Sequence, residues 1–252
     1  MKLPRSSLKT QQARDLGARI AELVQVGKGE QAYGLLAPVL SERTPFRLLE
    51  HIGSAIGAPS MKAVNQFLER IAVERTEGGW VVIGSALGKQ LDGDLVGAHA
   101  RCRSFIILAD IWYATDILGE RVPGPALAAA FEPALALLKP WRVDTNRWMR
   151  RVVGVSVHFW AKCSRGAAEL TDQAGALLAF VEPMFEERDR DAVKGVGWGL
   201  KTLGRYYPDL VADWLAVQIV HRQRRCRATM LRKALTYLTD EQRGRATGKA
   251  SS

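Results

Sequence analysis

The sequence predicts an all-α protein built from antiparallel helix pairs. Three observations carry that prediction: apolar residues at helical spacing in nearly every segment, weak strand signals, and short breaks marked by Gly, Pro or Asp. No segment shows convincing period-2 alternation, and no Asn-Gly or Asp-Gly hairpin turn joins two alternating runs. The first element is Gln11–Val26, where Leu16, Ile20, Leu23 and Val24 recur at a helical period. Gln31–Leu40 and Pro45–Ile56 follow as a pair. The second opens on Thr44-Pro45, a cap followed by Pro at the first helical position. Ser60–Val73 and Gly79–Leu91 make another pair. Leu95–Leu118 is predicted as one long helix, and Pro125–Leu138 as an Ala-rich one that closes before Pro140. Thr145–Lys162, Ala168–Val181, Asp189–Tyr206, Pro208–Val220 and Ala228–Leu238 complete the series.

Helix pairs recurring at a spacing of ~40 residues are the sequence pattern of a HEAT-type solenoid, with a plain helical bundle as the alternative. Residues 11–238 are expected to form one such domain. Met1–Thr10 and Thr239–Ser252 are polar and rich in small residues, so both are expected as frayed or disordered tails.

Composition narrows the partners. The 252 residues are 47% hydrophobic and 25% charged, the balance of a soluble globular protein. Lys and Arg total 36 against 26 acids, giving a net charge of +10. That excess favours a polyanion, with nucleic acid ahead of an acidic membrane surface. Part of it is concentrated in His221-Arg222-Gln223-Arg224-Arg225-Cys226-Arg227, followed by Arg232 and Lys233. Cys102, Cys163 and Cys226 are distant and odd in number, fitting a reduced protein better than a disulfide framework. No leader pattern or membrane-span length is evident, so a cytoplasmic protein is expected.

Trp112-Tyr113-Ala114-Thr115-Asp116, inside the apolar segment Ser104–Leu118, carries the sharpest chemical signal. At a spacing of four, an indole and a carboxylate share one helix face. A carboxylate there needs a donor, a cation or a wet cleft, because burying it alone is costly. Alone, the motif fits a simple salt bridge better. It is followed by Asn146-Arg147-Trp148-Met149-Arg150-Arg151 and by Lys194-Gly195-Val196-Gly197-Trp198. In that order W-x-x-x-D, W-x-x-R and K-x-x-G-W, from about Phe105 to Leu238, resemble the DNA alkylation repair glycosylase family of HEAT-like repeats. The basic segment Met230–Leu235 is similar to that family's last helix.

The resemblance implies a curved solenoid with a concave basic groove that binds duplex DNA carrying N3- or N7-alkylated purines. It implies Asp116 as the carboxylate that stabilises the sugar cation, Trp112 and Trp198 as flanking indoles, and Arg151 on a phosphate. Arg147, Arg150, Lys194, Arg225, Arg227 and Arg232 are the expected supporting DNA contacts. No cofactor and no metal are implied, and a monomer suffices. The chemistry is coherent. An alkylated purine already carries positive charge and leaves neutral, so the enzyme need only stabilise an oxocarbenium-like sugar and present a water.

Each residue also has a plainer reading. Trp198 between two glycines fits a space-filler at a helix crossing, Arg151 a solvated basic face, and Trp148 the core. Two departures stand out: Arg188-Asp189-Arg190-Asp191 occupies a region where family members often carry aromatics, and the N-terminal hundred residues match poorly. A non-catalytic helical scaffold for nucleic acid or an acidic protein is therefore the rival reading. Other chemistries find no motif. His51, His99, His158 and His221 are scattered, Gly195–Gly199 has no preceding strand, and no phosphate-binding G-x-x-x-x-G-K-[ST] or nucleophile elbow occurs.

Overall fold

The computed structural model describes Pro4, residues 6–58 and residues 62–248, which divide into two compact units, 1–122 and 123–252. Among the described residues the chain is all-helical, with no β-strand.

The first unit holds α1 (Thr10–Gln25), α2 (Gly29–Leu40), α3 (Phe46–Ile56), α4 (Lys62–Ala72), α5 (Glu77–Gln90), α6 (Leu95–Ala109) and α7 (Trp112–Gly119). Packing runs from α1 to α3, α3 to α5 and α5 to α7, while α2 lies on α4. Alternate helices thus stack in one layer, as a helical repeat requires. The core between them contains Ile20, Leu36, Ile52, Leu68, Trp80 and Ile83, all essentially inaccessible. Thr76 caps α5 by accepting from the Gly79 amide, and Asp94 caps α6 by accepting from Gly97. The expected start of α4 at Ser60 lies outside the described residues.

The second unit holds α8 (Pro123–Ala129), α9 (Phe131–Leu138), α10 (Arg147–Ser164), α11 (Thr171–Val181), α12 (Arg190–Tyr206), α13 (Pro208–Ala216), α14 (Ala228–Ala234) and α15 (Asp240–Thr247). Here α8, α10, α12 and α14 stack in order, and α11, α13 and α15 form the other row. Hydrogen bonds between successive repeats join residues about one repeat apart, such as Arg150 to Glu187 and Arg151 to Asp191.

Several boundaries differ from expectation, four of them markedly. The long helix Leu95–Leu118 is broken: Asp110 adopts φ 46°, ψ 39° and ends α6, Ile111 is extended, and α7 starts afresh at Trp112. Asp tolerates the left-handed region better than most residues, so the periodicity ran across a break that needs no Gly or Pro. Pro125–Leu138 is two helices parted at Ala130. Within one continuous helix Pro133 would lack its amide and press on the carbonyl of Ala129. The helix expected over Pro208–Val220 stays α-helical only to Ala216, and Val217–His221 widens into a π-turn. The C-terminal tail is not wholly irregular: Asp240–Thr247 forms α15, opened by a reciprocal capping box between Thr239 and Gln242.

Candidate functional site

In the first unit the relevant element is α7. Because the break at Asp110 and Ile111 restarts the helix, Trp112 occupies its first position and Asp116 lies one turn on. Trp112 is 54% exposed, and its ring meets that of Tyr113 edge-on, with centroids 5.9 Å apart. Asp116 is half-buried, between the buried Thr115 and Ile117. The indole therefore stands out from the first turn, with the carboxylate behind it on the same face. Ile107 and Leu108, at the end of α6, are also exposed, so apolar surface leads up to Trp112.

In the second unit α10 and α12 cross at unusually close range, and glycine permits it. A Cβ on Gly154 would fall inside the backbone of Gly195, and one on Gly195 would lie 2.8 Å from the Arg151 Cγ. Gly199 faces α10 in the same way, 2.8 Å from the Gly154 carbonyl, whereas Gly197 faces Lys233 and Met230 of α14. The glycines around Trp198 are thus the crossing surface. Trp198 lies between these glycines and is half-buried, its ring also turned to α10.

Its indole stacks on the buried His158 of α10, with centroids 4.0 Å apart and 23° between planes. The His158 Nδ1 lies 2.7 Å from the Thr202 hydroxyl, which donates to the Trp198 carbonyl at 3.1 Å. The His158 ring, the Thr202 hydroxyl and the Trp198 carbonyl are thereby joined in one chain of polar contacts. Helix, ring and hydroxyl close a small circuit that fixes the indole. Sequence reasoning missed His158 and Thr202, although their spacing from Trp198 matches one repeat and one helical turn.

The cations fall into distinct environments. Arg151 is buried at 6% exposure and donates from Nη1 to the Asp191 carbonyl at 3.2 Å. Arg150 is engaged by protein on every side, through Nε to Glu187 at 2.7 Å and Nη1 to the Asp144 and Thr145 carbonyls. Arg147 is exposed, with its guanidinium carbon 4.7 Å from the Trp148 ring centroid, and Trp148 is core. Lys194 is half-buried and lies 3.6 Å from Asp191. Arg222 and Arg224 pair with Glu182, and Arg224 also with Glu186. Arg227 is exposed and donates to the Arg188 carbonyl, while Arg225 and Arg232 are exposed with no carboxylate at ion-pair distance among the described residues. The basic run 222–227 therefore holds both cations tied to the fold and cations turned to solvent.

The segment in place of the missing aromatics has a clear structural job. Asp189 caps α12 by accepting from the Asp191 and Ala192 amides, and Glu187 accepts from the amides of Arg188 and Asp189 while holding Arg150. Thiol chemistry is disfavoured. Burial pushes the Cys102 thiol far up, and desolvation also raises Cys163 and Cys226. Among the described residues no group of three His, Cys, Asp or Glu side chains is placed to hold a metal, and no helix is long and apolar enough to cross a membrane.

The chain is thus a protein of stacked helical repeats, with an aromatic–carboxylate helix in its first unit and a fixed indole and solvent-facing cations in its second. The family model described as DNA alkylation repair enzyme matches residues 84–238, and the chain belongs to that family. No curated protein and no solved structure matches the chain.

Proposed function

We propose that this protein is a DNA glycosylase that hydrolyses the N-glycosidic bond of N3- or N7-alkylated purines in duplex DNA. The observation that carries this reading is the geometry of α7 in a member of an alkylation repair family: an exposed indole and, one turn away, a half-buried carboxylate. A cationic base is a good leaving group, so no strong general acid is called for. Asp116 offers negative charge to the sugar as the bond lengthens and accepts a hydrogen bond from the attacking water. Trp112 and Trp198 attract the cationic nucleotide through their π faces, each worth ~1–2 kcal/mol where water is excluded.

Arg151 is the proposed lesion-side phosphate ligand; its burial suits a preorganised guanidinium. Arg147, Lys194, Arg225, Arg227 and Arg232 supply further phosphate contacts, and Arg150 contributes by holding the entrance to α10 and α12 in place. The reaction needs no cofactor, and a monomer in the cytoplasm, on chromosomal DNA, suffices.

The test is release of free methylated base from duplex DNA treated with a methylating agent. Wild type should release it, and Asp116→Asn should lose about 10²–10³-fold in single-turnover rate while still binding DNA. Unchanged release by Asp116→Asn would overturn the mechanism. A wild type that binds DNA but releases no base would favour the rival reading, a scaffold without activity.

A further inference from the structure

Beyond the family's lesion chemistry, one face of α12 extends past Trp198. Lys194, Trp198, Lys201 and Arg205 recur along it at steps of four, three and four residues, so they lie on one stripe. Near its end stands Tyr237, just beyond α14 and 45% exposed. The Lys201 Nζ and the Arg205 guanidinium carbon each lie 5.4 Å from the centre of its ring, and Arg205 also lies 5.6 Å from Tyr206.

The acids of α13 and the start of α15 have partners of their own. Asp209 and Asp213 of α13 pair with Arg245 of α15, and Asp240 pairs with Arg243. A hydrogen bond from Gln242 and the ion pair with Arg245 hold the Asp209 carboxyl below its ordinary range. Among the described residues Lys201 and Arg205 have aromatic neighbours and no carboxylate at ion-pair distance, so their charge is left for an external anion. A solvated, internally neutralised face would show the opposite arrangement.

We propose that Lys201, Arg205 and Tyr237 form a second DNA-backbone site that grips undamaged duplex beside the lesion. The two cations take phosphate oxygens, and the Tyr237 ring lies against a deoxyribose. From Lys194 to Arg205 the stripe runs about 16 Å along the helix, enough for about five nucleotide steps at 3.4 Å each. The inference rests on DNA as the partner but not on base excision.

Fluorescence anisotropy on undamaged duplex across a salt series tests it. The slope of log affinity against log salt should fall by about 2 in the Lys201→Ala/Arg205→Ala variant. An equal-charge control, Arg243→Ala/Arg245→Ala, should keep the wild-type slope, as should Lys201→Arg/Arg205→Lys. Should the alanine double variant fail to fold, Lys201→Gln alone should lower the slope by about 1. Equal slopes for the two alanine double variants, or an unchanged slope for Lys201→Gln, would overturn the site. Because undamaged DNA is the ligand, a protein that released no methylated base would sink the glycosylase reading and leave this result standing.

Discussion

The two candidate lesion-facing indoles are mounted in opposite ways. Trp112 stands on the first turn of an eight-residue helix, mostly exposed, with one edge contact to its neighbour Tyr113. Trp198 stands mid-way along a seventeen-residue helix, stacked on a buried imidazole that is itself held by Thr202. One ring is free to adapt and the other is built into the packing. Stability and function should therefore separate at Trp112 and be entangled at Trp198.

The strongest way to break the fixed half is at its foundation. Gly154→Ala inserts a methyl where the backbone of α12 already stands, and should cost about 3 kcal/mol, read as a fall in the denaturant midpoint. Trp198→Ala should cost about 2 kcal/mol, less than a fully buried Trp because the ring is only half-covered. His158→Ala removes the stacking partner and the ring's contact with the Thr202 hydroxyl, leaving that hydroxyl its bond to the Trp198 carbonyl. About 1.5 kcal/mol of lost stability is expected, and His158→Phe should recover part of it by restoring the stack. By contrast Trp112→Ala should leave stability within about 0.5 kcal/mol of wild type, while lowering base release under the proposed function. A large stability loss from Trp112→Ala would show that the two mountings are not different after all.

The smallest effect sharpens the first unit alone. The hydrogen bond from Arg101, helped by the Gly97 amide, holds the Asp94 carboxyl below its ordinary range. A carboxyl lowered on folding stabilises the protein above its unfolded value near pH 4, and that contribution fades as pH falls further. Melting curves at pH 6 and pH 3 should show Asp94→Asn nearer to wild type at the lower pH. Divergence at pH 3 would argue that Asp94 acts mainly as the cap of α6.

Much of the fold was legible because helical periodicity is a property of single segments. The starts of α10 and α12, with Asn146 and Asp189 as caps, fell within two residues of expectation. The missed boundaries differ in cause. At Asp110 the backbone turns at a residue that also suits helices, with no Gly or Pro to mark the break, whereas the break at Ala130 is signalled by Pro133, three residues on. Asp240–Thr247 was missed because its polar composition hid a capping box, which the pair Thr239 and Gln242 does carry in sequence.

At the site, the order of Trp112, Asp116, Arg151 and Trp198 led to the family that the comparison returned. The surroundings of those residues were less legible. A sequence shows that 188–191 is charged but not that Asp189 ends up as a cap, nor that Arg150 will be consumed by Glu187. Which cations remain for DNA depends on partners some forty residues away, and only the fold brings these together.

The break at Asp110 has a consequence for how the sequence can vary. A helix advances about 100° per residue, so in an uninterrupted rod a single insertion upstream would swing every later side chain round the axis. The left-handed residue resets that rotation: α7 takes its orientation from Ile111 onward. Length changes within α6 need not alter the bearing of Trp112 and Asp116, whereas one residue gained or lost between Ile111 and Asp116 would turn the carboxylate away from its indole.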